Sequence, residues 1–109
     1  MNLEDCIGFE WNFGNFKKNW NKHNVVRGEC EPVFFNKPLL VFEDNKHSND
    51  EMRFYLLGRT DNDRRLLVVF TIFNDLIRII SVRDMHKKER LVYEKKKRSF
   101  GRLTTPPII

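Results

Sequence analysis

Arginine recurs at positions where a β-strand would align it. Arg53, Tyr55, Leu57 and Arg59 alternate along 52–59, so a regular strand presents two guanidinium groups and a phenol on one face. Arg78 and Arg83 stand at odd separation, which in a regular strand sends them to opposite faces. They can serve one site only through a bulge, or if Arg83 lies past the strand end. A guanidinium stays charged and donates two parallel hydrogen bonds, which suits a phosphate. Cleavage of RNA asks for little more than such groups. The substrate carries its own nucleophile, the 2′-OH. The protein must align that oxygen with phosphorus, stabilise the charge on the phosphate oxygens and help move two protons, work open to His, Lys, Tyr or Glu. These residue types alone do not select cleavage over passive RNA binding.

Each candidate has a plainer reading beside it. Arg53 and Arg59 also fit an exposed face with ordinary ion pairs. Arg78, between Ile77 and Ile79, must point to solvent or to a partner; Arg83 ranks above it as an RNA contact, and either could be structural. His23 shares an apolar helical face with Phe16 and Trp20, where a packed or capping histidine is favoured over a proton shuttle. Lys22 lies towards the open side and fits a phosphate contact or a solvated lysine equally. Tyr93, one helical turn from Glu89, could touch the reacting groups or pack its ring under the sheet. Lys87, Lys88 and Arg90 are expected to add non-specific attraction to RNA or to an acidic partner.

The 109 residues carry a net charge of +5. Residues 83–102 hold nine Lys or Arg against three acids, a balance of +6, which leaves about −1 for the remainder. A basic end on a near-neutral body points to a polyanion or an acidic partner; its alternative is a solvated, self-repelling helix and tail. The two cysteines, Cys6 and Cys30, are too few for a disulfide scaffold and lack metal-ligand spacing. No Gly-rich phosphate loop, metalloprotease helix, nucleophile elbow or zinc-finger spacing occurs, and His23, His47 and His86 are far apart in sequence. No metal or cofactor is expected. The N-terminal MNLEDCIGFEW has acids and no apolar stretch of signal-peptide type, and no run reaches the roughly 18 apolar residues of a membrane span. The expectation is a cytoplasmic protein with no membrane association.

Positioning these side chains requires the following elements. Residues 8–11 predict a short first strand. Phe13, Phe16, Trp20 and His23 recur at helical spacing. A second, weaker helix over 27–35 contains Pro32, so it is expected to begin near Glu31. Short strands follow at 38–43 and 52–59, the second closed by a turn formed by Gly58 and 60–63. Residues 66–73 are apolar enough for a strand buried on both faces. Asn74-Asp75 is a two-residue hairpin break, and 76–83 is the partner strand. Asp84 can cap a final helix over 85–98, leaving 99–109 as a poorly ordered tail. The sum is one α+β domain over 1–98, an antiparallel meander with two N-terminal helices and one C-terminal helix packed on it.

A family likeness covers 8–97. Phe9-Glu-Trp11, Asn19-x-x-Lys22-His23-x-Val25, Val41-Phe-Glu-Asp44, Glu51-x-Arg53-Phe, Leu57-Gly-Arg59, Leu67-Val-Val69, Arg78-Ile-Ile-Ser-x-Arg83 and Glu89-x-x-x-Tyr93-Glu94 together resemble the BrnT toxins in order and spacing. The sequence departs from the family at Asn12, where Asp is usual, at Asn24, where Gly follows the histidine, and at Val82, where a small residue is usual. The resemblance implies a RelE-like fold and a toxin of a type II toxin-antitoxin system. It further implies a metal-independent endoribonuclease that stops translation and growth. Its partner would be a BrnA-like antitoxin with a ribbon-helix-helix domain, the pair binding operator DNA.

Overall fold

The computed structural model describes residues 3–11, 25–44 and 52–102. Five strands form one sheet in the order β1-β5-β4-β3-β2: β1 (Gly8–Glu10), β2 (Leu40–Glu43), β3 (Arg53–Arg59), β4 (Arg65–Phe73) and β5 (Leu76–Asp84). β2 to β5 are the expected antiparallel meander. β1 corrects the rest of that expectation, because it lies parallel to β5, with Glu10 opposite Arg78. The sheet is therefore mixed. A three-residue strand carries too little alternation to announce its direction.

Alternation along β3 and β4 splits the sheet into two faces. Phe54, Leu56, Leu66, Val68, Phe70, Ile77, Ile79 and Val82 face a core closed by Val25, Cys30, Val33 and Phe34. Those last residues come from α1 (Arg27–Cys30) and a 3-10 turn, Glu31–Phe34, with Pro32 in its first turn. The single helix expected over 27–35 is thus one α turn followed by a tighter one, as a ring without an N–H dictates. The helix expected from Phe13 to His23 lies outside the described residues, as does most of the polar loop after Asp44. Burial in this core pushes the Cys30 thiol up to about 12, and Cys6 and Cys30 are both unbridged.

Gly58 is not part of a turn. It lies within β3, where an added Cβ would stand 2.5 Å from Val33 Cγ1. The turn is made by Thr60, whose Oγ1 accepts from the backbone of Asn62 and Arg64, and by Asp63 at φ 67°. Asn74 and Asp75 take φ 52° and 62°, the left-handed pair that a two-residue hairpin of the expected kind requires.

The second face is partly covered by α2 (Lys87–Arg102). This helix starts two residues later than predicted and continues four residues into the stretch expected to be tail. Its N-terminal cap is not Asp84, which instead accepts both Nε and Nη2 of Arg64. Glu89 accepts the His86 backbone N–H at 2.7 Å, satisfying a donor that the helix leaves without a partner. Tyr93 anchors α2 among Leu40, Leu57, Leu67 and Met85.

Candidate nucleic-acid interface

The second sheet face gathers the arginines, and one irregularity makes this possible. Phe70 pairs with Ile79 but Val69 pairs with Ser81, so Ile80 has no partner in the ladder. That extra residue restores the phase: Arg78 sits opposite Thr71 and Arg83 opposite Leu67, both on the face that β3 gives to Arg53 and Arg59. The bulge required for Arg78 and Arg83 to share a face is present.

Two groups result. Arg53, Thr71 and Arg78 form one row across three strands. The Thr71 side chain is buried, and its Oγ1 has no hydrogen-bond partner among the described residues. Arg78 reaches Glu10 at 3.4 Å and lies 4.7 Å over the Phe73 ring. At the opposite end, Arg59 and Arg65 stand directly across from one another. Arg59 donates from Nε to the Lys37 carbonyl, and Arg65 lies 5.2 Å over the Tyr93 ring while pairing with Asp63 and Glu94.

Arg83 stands between these groups. Its guanidinium makes a two-pronged pair with Glu89, 2.8 Å on each side. The Arg83 hydrogen bonds hold the Glu89 carboxyl below its ordinary value, against the opposing effect of burial. Beside the pair runs a groove of about 490 Å³ between the sheet and α2, with Tyr55, Leu67 and Val69 on the sheet side, the Asp44 carboxylate just past β2, and Lys88, Glu89 and Val92 on the helix. Phe42 stacks on Tyr55 across the strands, with centroids 5.0 Å apart and planes at 22°. Arginine forks, an aromatic pair and a lysine on one face can engage phosphates and bases together.

The chain matches the family model for the BrnT ribonuclease toxin of type II toxin-antitoxin systems over residues 11–89. It belongs to the BrnT family. A search of curated proteins finds no match. Within this BrnT chain the expected residues divide by position. Arg53, Arg78 and Arg83 share one face of the sheet. Arg59 lies on it beneath the Tyr93 end of α2, where its positive charge opposes the effect of burial on the phenol. Tyr93 is itself fully buried and donates its hydroxyl to the Pro38 carbonyl at 2.7 Å; burial raises its pKa to about 12. Lys87, Lys88 and Arg90 are exposed in the first turn of α2. Lys22 and His23 lie outside the described residues.

Sequence reading missed Arg65, Thr71, Phe42 and the pairing role of Glu89. The strand register would have placed Arg65 opposite Arg59, and a threonine amid the apolar run of β4 is a polar signal of its own. Among the described residues no group of three or more His, Cys, Asp or Glu is placed to hold a metal ion, and no helix is long and apolar enough to cross a membrane.

Proposed function

We propose that this BrnT toxin is a cytoplasmic endoribonuclease that cleaves RNA by internal attack of the 2′-OH without a metal ion. The observation carrying this reading is the Ile80 bulge, which turns Arg78 and Arg83 onto the face of Arg53 and Tyr55. RNA crosses that face beside α2. An incoming phosphate competes with Glu89 for the Arg83 fork, and Arg83 then stabilises the charge growing on the non-bridging oxygens. The released Glu89 carboxylate, no longer held down by its partner, becomes a better proton acceptor for the 2′-OH. The 2′-oxygen–phosphorus bond forms and the phosphorus–5′-oxygen bond breaks. The departing oxygen takes up a proton, leaving a cyclic phosphate and a 5′-hydroxyl. Arg53 and Arg78 bind the neighbouring phosphate, while Lys87, Lys88 and Arg90, with Lys22 and His23, add attraction along the strand. Arg59 and Tyr93 hold the end of the sheet against α2.

The rest of the reading comes with the family. The fold is RelE-like, and the toxin domain takes in α2 to its end at Arg102. A BrnA-like antitoxin with a ribbon-helix-helix domain neutralises the chain, and the pair binds operator DNA.

The test is incubation of purified, antitoxin-free protein with RNA in EDTA. Fragments ending in cyclic phosphate are expected. Replacing Arg83 with Ala should slow cleavage about 10²–10³-fold, with a smaller loss for Arg53→Ala. RNA that stays full-length at micromolar protein yet co-purifies with it would replace the enzyme with a non-catalytic RNA-binding protein or corepressor.

A further inference from the structure

The groove beside Arg83 is built for more than phosphate. Its volume of about 490 Å³ lies within the range of sites that enclose small ligands, and its floor is apolar, formed by Leu57, Leu67 and Val69. A phosphate gains nothing from such a floor. Phe42 and Val92 remain 38% and 47% exposed at its mouth, although burying apolar surface is favourable. Arg83 and Glu89 meanwhile satisfy one another at its edge. A flat apolar body attached to an anionic chain fits both features: the body takes the floor and wall, and the anion takes Lys88 and the Arg83 fork.

We propose that this groove is a nucleobase pocket in which one unpaired base of the RNA stacks against Tyr55 of the Phe42–Tyr55 pair, opposite Val92. The pocket rests on the ribonuclease reading and extends it to the substrate. A base locked in a duplex cannot enter, so the substrate class is single-stranded RNA or an unpaired loop. Stacking tolerates any base, because every base has a π-face, so affinity arises here without strict sequence choice.

The test measures binding of a short fluorescent 2′-O-methyl RNA, which lacks the attacking hydroxyl, to the full chain. Tyr55→Ala should weaken binding roughly 5- to 150-fold, the range for loss of one base-stacking aromatic, whereas Tyr55→Phe should bind like the parent. Val92→Trp fills the groove from an exposed helix position, and it should weaken binding without lowering the melting temperature. An oligonucleotide lacking its bases should bind the parent as weakly as the intact one binds Tyr55→Ala, and a duplex should compete poorly. Unchanged affinity for the baseless oligonucleotide, or for folded Tyr55→Ala and Val92→Trp proteins, overturns the pocket and leaves the ribonuclease reading standing. Loss of antitoxin binding in those variants with RNA affinity intact also overturns it, in favour of a protein docking groove. A parent protein that neither binds nor cleaves RNA would overturn the ribonuclease reading itself.

Discussion

The hydroxyl of Tyr93 is committed to Pro38, its ring is fully buried, and Arg65 lies over it. Such a residue holds two elements together, and its variants should separate that work from chemistry. Tyr93→Phe keeps the ring but leaves the Pro38 carbonyl without its donor, which should cost about 1–3 kcal/mol in urea unfolding. RNA cleavage below the melting point should persist. Complete loss of cleavage by the folded Phe variant would return the phenol to the reacting groups. Glu89 gives a second residue-scale expectation. Its carboxyl is held below the ordinary value by Arg83, so the pair stabilises the fold above the unfolded-state value of roughly 4.3. That contribution disappears as pH falls through the lower folded-state value. Glu89→Gln should therefore be less stable than the parent at neutral pH, and the gap should close below about pH 4. A gap that stays constant down to acid pH would show that the pair does not stabilise the fold. The alternation of Arg53 and Arg59 was readable because a strand has period two. The partner of Tyr93 was not, because Pro38 stands 55 residues earlier and no local pattern links them.

Among the elements, β3 to β5 were legible because their apolar runs are long and Asn74-Asp75 admits the left-handed backbone of a tight hairpin. The bulge was legible only as a condition. Ile79 and Ile80 are two apolar residues in succession, a break in alternation that buried strands also show, so the doublet did not by itself identify the unpaired position. Helix boundaries shifted for a chemical reason: Asp84 is occupied by Arg64, and Glu89 satisfies the first helical turn in its place. Gly58 was assigned to a turn because glycine beside polar residues usually signals one; here it admits Val33 to the backbone of β3. Gly58→Ala should cost about 1–3 kcal/mol by overpacking, and the double variant Gly58→Ala with Val33→Ala should recover part of that loss in a thermal melt. A neutral Gly58→Ala would show that α1 and its following turn can move away from the sheet.

At the scale of the molecule, among the described residues, the basic first turn of α2 and the larger core lie on opposite faces of the sheet. The excess charge of 83–102 includes the first turn of α2 beside the groove. The larger core lies behind the sheet under α1. Binding residues can therefore change with little effect on the packing that holds the fold. Composition made the basic end visible, but it could not show that the helix flanks a groove, because that depends on how Tyr93 docks. The parallel strand carries a further consequence, for the order of assembly. β2 to β5 join neighbours through short connections, whereas Glu10 must find Arg78 across 68 residues, and closing a long loop delays contact formation. The meander is expected to form first and β1 to be recruited last. Truncating the Phe9 side chain should then accelerate unfolding while leaving the refolding rate nearly unchanged, and Arg78 would acquire its acidic neighbour only in the closing event of folding.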